Sequence, residues 1–387
     1  MTEQPETAPV FGTRTEPARP VTVKTPSEAL QPEKGTPPPR RSRAARSQVI
    51  VFLNFAMSAV VFLTLAAGIA TWLGRKEFVG AGPWATDTTF EVKPNSGVAE
   101  IANQLERRGL ISDSRIFRLG VRAFGKEKQL KAGEYEIKAK ASMQDIMNVI
   151  ASGKAVLYSF TIPEGWTVDQ ALARIGSDEI LTGDLPPVKP AEGSLIAETQ
   201  RFGRGTTRQA ILAKMAADQK ALVETIWARR VEGLPVKDIN EFVTLASIVE
   251  KETGKADERP HVASVFINRL NKGMRLQSDP TIIYGLFGGL GKPADRPIYQ
   301  SDIDRVTPYN TYAIDGLPPT PIANPGRAAL EAVANPSKTD DLFFVADGTG
   351  GHVFAATLEE HEANVAKWRK IESEAAKTGG EAAPKVQ

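Results

Sequence analysis

The chain has 387 residues, enough for two or three domains, and 41% of them are hydrophobic, so a substantial core can be buried. Its 48 basic and 46 acidic residues leave a net charge of +2, which gives no general electrostatic case for nucleic acid as a partner. The absence of cysteine excludes disulfides, thiolate metal sites and a cysteine nucleophile, and the three histidines lack metal-ligand spacing, so neither a metal nor a cofactor is expected.

Residues 1–48 are rich in Pro, Glu, Thr and Arg and poor in large apolar side chains. Such a segment cannot bury enough surface to offset its ordering entropy, and a disordered tail is expected. The tail ends in RRSRAARS, with Arg40, Arg41, Arg43 and Arg46 together. Residues 49–73, VIVFLNFAMSAVVFLTLAAGIATWL, carry no charge. At a rise of about 1.5 Å per residue they cross a bilayer core of roughly 30 Å. The stretch exceeds the apolar region of a cleaved signal peptide, so an uncleaved anchor is expected. Four arginines precede it, against Arg75 and Lys76 after it. The positive-inside rule then puts the tail in the cytoplasm and the remainder outside the inner (plasma) membrane.

After a linker over residues 74–89, two stretches align without gaps: FEVKPNSGVAEIANQL from Phe90 and FTIPEGWTVDQALARI from Phe160. Phe90 matches Phe160, Val92 matches Ile162, Val98 matches Val168 and Leu105 matches Ile175. Each reads as a strand, a turn and an amphipathic helix, either as a duplicated unit or as a chance match of apolar positions. Between them lie a strand near residues 135–137 and a helix begun by Ser142. Strand–helix–strand units of this size resemble LysM glycan-binding modules. From about residue 192 the chain becomes mainly helical, with helices expected over 207–232, 236–253 and 259–272. A loop region over 276–325 follows, then a short helix over 326–334, a strand in LFFVAD, a hairpin turn at DGTGGHVF and a C-terminal helix ending near Glu372. Residues 373–387 read as a disordered tail.

The segment LASIVEKETG places two glutamates one residue apart inside an apolar run. On a helical wheel Phe242, Leu245, Ile248 and Val249 share one face, and Glu252 falls near its middle. Glu250 falls beside Val243, toward solvent or an edge. A carboxyl against apolar walls resists ionisation, which suits a general acid at neutral pH. The same spacing also lets Glu252 begin the chain's exit from the helix, or pair with Arg259, Arg269 or Arg275. The following loops, RLQSDPTIIYGL and PYNTYAIDGLPPTPIANPG, supply aromatic faces and neutral amides of the kind that sugar rings engage. They also contain ordinary turn formers and core tyrosines.

LASIVEKET, VASVFINRLNKGMRLQSDPTIIYG, YNTYAIDGLPPTPIANPG and LFFVADGTGGHVF, with IPEGWT upstream, strongly resemble the MltG (YceG-like) family of endolytic murein transglycosylases over residues 90–361. The resemblance implies an α+β architecture. A single N-terminal transmembrane helix leads to LysM-like βα modules over 90–190. A mainly helical, lysozyme-like or YceG-like catalytic domain with a small β-hairpin region occupies 191–372. It implies a membrane-anchored lyase that cuts the β-1,4 bond between N-acetylmuramic acid and N-acetylglucosamine in nascent peptidoglycan, leaving 1,6-anhydro ends. Penicillin-binding synthases are implied as partners.

It further implies Glu252 as the single acid and base, with Glu250 the runner-up. Gln277, Asp279, Tyr284, Tyr309, Asn310 and Tyr312 are implied as cleft residues, and His352 and His361 as support for the hairpin. Two other functions remain compatible: a catalytically idle glycan-binding scaffold for cell-wall synthases, and a hydrolytic muramidase using Glu252 with Asp279. The family pattern G-x-x-x-P-x-T-Y is kept at Gly193 and Thr199 but carries Ala197 and Gln200 at its Pro and Tyr positions.

Overall fold

A computed structural model describes residues 48–377, with Thr25, Ser27 and Gly35 as isolated positions before them. The expected tail over 1–48 lies almost wholly outside the described residues; of the tail expected over 373–387, residues 373–377 continue the C-terminal helix instead, and the rest lie outside them. The chain divides into two compact units, residues 1–71 and 72–387. In the first, the described part is a continuous apolar helix, the beginning of α1 (Gln48–Val79). α1 is the one helix among the described residues long and apolar enough to cross a membrane. It runs six residues beyond the uncharged stretch, into the expected linker. The extension is held by packing: Phe78 is buried and stacks on Phe124 at 5.8 Å between ring centroids. Phe78 also lies so close over Gly120 that no side chain fits there.

The second unit holds two hydrophobic cores. The smaller is built from β1 (Thr88–Val92), α2 (Val98–Arg107), α3 (Ser114–Ala123), β2 (Gly133–Ile137) and α4 (Met143–Ser152). β1 and β2 pair antiparallel with Phe90 opposite Tyr135. Alternation sends Phe90, Val92, Tyr135 and Ile137 inward, where they meet Leu105, Phe117 and Met147. Ser142 and Asp145 form a reciprocal capping box at the start of α4. α3 is an addition to the expected elements; Asp113 caps it by accepting from the Arg115 and Ile116 amides.

The larger core begins with the second strand–helix unit, β3 (Leu157–Thr161) and α5 (Val168–Gly176), and continues through β4 (Thr199–Gly203), antiparallel to β3. Phe160, Ile162 and Ile175 are buried, as are their counterparts Phe90, Val92 and Leu105. The two units differ in what separates the paired strands: two helices in the first, one helix and an irregular stretch in the second. Phe160, Ile162, Val168 and Ile175 pack in one cluster with the helical section, so this core runs from β3 onward. The Glu134 carboxylate joins the two cores, accepting from the Tyr158 hydroxyl at 2.6 Å and Arg204 Nε at 2.8 Å.

The helices α6 (Arg208–Ala228), α7 (Ile239–Glu252) and α8 (Arg259–Asn271) match the expected spans closely. The region expected as loop contains α9 (Asp279–Phe287) and a single turn, α10 (Gln300–Ile303), before α11 (Arg327–Ala334). Pro280 in the first turn of α9 has no amide to leave unpaired, so the residues that read as turn formers start a helix. β5 (Phe343–Ala346) and β6 (His352–Ala355) form the hairpin, and α12 (Leu358–Lys377) closes the described chain. His352 fixes the hairpin to α8, with Nδ1 2.9 Å from a Glu258 oxygen, and His361 stacks on Phe343. Gln200 and Ala197, where the family pattern departs, are buried, and Gln200 accepts from Lys214 at 3.1 Å.

α7 is the axis of this core: every residue from Phe242 to Val249 is buried. The segment IANPG runs along it. The Ile322 amide donates to Ser247 Oγ at 3.0 Å, and the Gly326 amide to a Glu250 oxygen at 3.0 Å. Asn324, fully buried, accepts from the Leu195 amide and donates to the Trp166 carbonyl, each at 2.9 Å. One amide side chain therefore joins α7's flank, the turn before α5 and the segment before β4. Asn324→Ala leaves the Leu195 amide without its partner in the interior. It is expected to cost about 1–3 kcal/mol, read as a lower denaturation midpoint, with Leu330→Val on α11 as a milder comparison of about 1 kcal/mol.

Candidate functional site

α7 ends at Glu252; Thr253 is extended and buried, and Gly254 follows. The helix thus persists just long enough to bring Glu252 to the apolar face on which the wheel puts it. The residue as a whole is half-buried. Ser278 Oγ donates a short hydrogen bond to Glu252 Oε1. Desolvation pushes the carboxyl up to about 7, assisted by the negative charge of Asp279 and opposed by the Ser278 hydrogen bond and Arg269.

Glu250 does not face solvent. Its side chain is 5% exposed, accepting from the Gly326 amide and, at 3.4 Å, from Arg259. The wheel is silent on the reason: α8 and the start of α11 cover that flank of α7, and the Gly326 amide just before α11 needs an acceptor. Burial raises the Glu250 pKa, against the lowering effect of the Gly326 amide and Arg259.

The segment RLQSDP supplies the wall facing Glu252. Gln277 adopts a left-handed backbone, φ 54°, which a non-glycine residue holds only where its surroundings fix it. Its amide donates to the Thr311 carbonyl at 3.2 Å and its side-chain oxygen accepts from Arg269 at 3.1 Å. The reversal brings Ser278 under Glu252, and the Ser278 amide donates to Thr311 Oγ1 at 2.9 Å. Arg269, buried, spends its guanidinium on the carbonyls of Leu342, Arg275 and Leu276 rather than on a carboxylate. Asp279 is exposed and accepts from the Tyr312 hydroxyl at 2.8 Å. Burial and the Asp279 charge raise the Tyr312 pKa, so its proton stays on.

Of the expected cleft residues, Gln277, Asp279 and Tyr312 gather with Glu252. Tyr284 and Tyr309 pack on each other, with rings 4.9 Å apart and hydroxyls committed to Glu192 (3.1 Å) and Thr320 (2.8 Å). Asn310 does not line a cleft. It is 1% exposed, donating to the Ile303 and Arg305 carbonyls and accepting from the Tyr312 amide. Its amide folds the loop and has nothing left for a sugar. Ser278, Arg269 as a support and Glu192 went unmarked in the sequence, because their roles depend on pairings across long loops. Among the described residues, no group of three or more His, Asp or Glu could hold a metal ion.

The YceG-like family model matches residues 90–367. The endolytic murein transglycosylase of Streptococcus pneumoniae (serotype 2, strain D39) is 33% identical over 325 residues, covering 72% of this chain and 58% of the relative. That of Bacillus subtilis (strain 168) is 32% identical over 320 residues, covering 74% of this chain and 86% of the relative. A crystal structure of a yceG-like protein from Listeria monocytogenes matches at 29% identity with a TM-score of 0.44, covering 72% of this chain and 98% of that one. The chain belongs to the YceG-like family. It spans less than two thirds of the length of the pneumococcal relatives.

The raised Glu252 pKa has a stability consequence. Between its ordinary value of 4.5 and about 7, the folded chain retains a proton that the unfolded chain releases. The favourable contribution is full below 4.5 and is lost as pH rises through 7. Glu252→Gln is therefore expected to unfold at a higher temperature than wild type at pH 8, the difference vanishing by pH 4, as paired calorimetric scans would read.

Proposed function

We propose that the protein is a membrane-anchored endolytic lytic transglycosylase acting on peptidoglycan, with Glu252 as its one acid and base. The observation that carries this reading is a single carboxyl at the end of a buried helix, held near pH 7 by desolvation and the Asp279 charge. The name borne by the Streptococcus and Bacillus relatives supports it.

In this mechanism protonated Glu252 gives its proton to the glycosidic oxygen as the bond from C1 of N-acetylmuramic acid breaks. Positive charge develops at C1, and the Asp279 carboxylate, steadied by Tyr312, stabilises it. Glu252, now a carboxylate, takes the proton from the sugar's C6 hydroxyl. That oxygen closes on C1 to form the 1,6-anhydro ring, so no water is consumed. Ser278 orients the acid oxygen it contacts, leaving the other for the substrate. Gln277 borders the glycan on the same wall. Glu250 serves the frame, linking α7 to α11 and α8.

The domain assignment belongs to the same proposal. Residues 90–190, with their two strand–helix units, are LysM-like glycan-binding modules, the second of them packed into the same core as the catalytic residues 191–372. α1 anchors the chain with its N-terminus in the cytoplasm. The excess of arginine before the apolar stretch supports that orientation. Cleavage within newly made strands puts the enzyme beside penicillin-binding synthases, its expected partners.

Purified full-length protein given uncleaved murein strands is expected to yield 1,6-anhydromuramyl ends by mass spectrometry. Glu252→Gln should lower their rate by about 10²–10⁴-fold with strand binding retained. Glu250→Gln should keep measurable activity and instead unfold more easily, by about 1.5–3 kcal/mol. Reducing muramic acid ends would point to a hydrolase using Asp279, and binding with no product to a scaffold. The wild-type rate should fall about tenfold per pH unit above 7, because the acid form starts the reaction.

A further inference from the structure

Lys251 lies between the two glutamates and pairs with neither. Glu250 is committed to Gly326 and Arg259, and Glu252 to Ser278. Among the described residues no ion pair or hydrogen bond satisfies the Lys251 ammonium, although the residue is half-buried and Glu250 attracts it from a distance. Its stem passes the turn before α5, within van der Waals reach of a side chain placed at Gly165. Its position opens on a cavity of about 220 Å³ that it shares with Thr167, Gln170, Pro280, Tyr284 and Lys292.

The charges of this cavity are unbalanced. Lys251 and Lys292 both line it. The neighbouring acids are taken: Asp169 pairs with Lys189 at 2.6 Å, and Glu192 accepts from the Val168 amide and the Tyr284 hydroxyl. Burial raises the Glu192 pKa, against the lowering effect of its Val168 and Tyr284 hydrogen bonds. Gln170 uses its carbonyl oxygen on the Thr167 amide, leaving its NH₂ for another acceptor. A half-buried ammonium with no partner in the protein is better satisfied when an anion meets it. The cavity is smaller than the roughly 300–1,000 Å³ that encloses a whole ligand, so it fits a substituent rather than a sugar pair. Pro280 belongs to its wall and stands next to Asp279 of the candidate site, which makes the two neighbours along α9.

We propose that Lys251, with the Gln170 amide and Lys292, binds a carboxylate carried on the branch of the muramic acid held at the candidate site. That carboxylate is either the lactyl group of a bare sugar or a carboxylate of the peptide attached to it. The inference rests on the glycan reading of the site given above. It makes Lys251 a specificity residue, selecting strands by the charge of their branches while Glu252 handles the backbone.

The test uses full-length protein in detergent with Glu252→Gln as the parent, so that ligands bind without turnover. Three murein tetrasaccharides serve as probes: bare with free lactyl carboxylates, peptide-bearing, and peptide-bearing with every carboxylate amidated. Calorimetric binding to the parent is expected to be at least tenfold weaker for the amidated probe than for the better of the two carboxylates. Which of those binds more tightly identifies the source of the anion. Adding Lys251→Met should remove the preference, and Lys251→Arg should keep it within about threefold.

Equal affinity of the parent for all three probes overturns the proposal even if Lys251→Met does not fold. An undiminished preference in folded Lys251→Met overturns it as well. Binding of all probes with equal affinity, alongside anhydro products from wild type, sinks this inference alone. No binding and no anhydro product sink the glycan reading with it.

Discussion

Everything at the candidate site depends on one electrostatic conflict: a carboxyl is carried at the end of a helix in which every residue from Phe242 to Val249 is buried. Helical geometry fixes Glu252 on the apolar side, and withdrawal from water disfavours its charged form. Ser278 and Arg269 pull the other way, Asp279 adds to desolvation, and the balance settles near neutrality. A helix one residue shorter, or a wall one turn more distant, would return this group to ordinary acidity.

Two glutamates in one helical turn show how context divides labour. Glu250 meets a backbone amide at the start of α11 and an arginine, partners that favour its charged form and tie elements together. Glu252 meets a hydroxyl and a second acid, partners that leave it exchangeable. The frame around them is equally specific. Asn324 joins segments far apart in sequence, and Gln277 accepts an unfavourable backbone so that Ser278 reaches its place.

The sequence made the periodic parts legible. The uncharged run of 49–73, the paired Phe90 and Phe160 units and the helices α6 to α8 announce themselves through composition or 3.6-residue spacing. The wheel oriented Glu252 for the same reason. It misjudged Glu250 because a wheel knows one helix and not what covers its other flank. α9 hid among Asp, Pro and Gly residues that also make turns, and α3 among arginines. Asn310 read as a sugar ligand because composition cannot reveal that its amide is already spent on two carbonyls. Ser278, Glu192 and the unpaired Lys251 acquire meaning only through contacts across many residues, which no local pattern encodes.

The central claim is that Glu252 holds its proton close to neutral pH, and direct titration of that carboxyl tests it. Infrared or ¹³C difference spectra of isotope-labelled glutamate, wild type minus Glu252→Gln, isolate its signal in the folded protein. An apparent pKa near 7, moving down in Asp279→Asn and up in Ser278→Ala, is the result required by these surroundings. A value between 4 and 5, indifferent to both neighbours, would contradict the account.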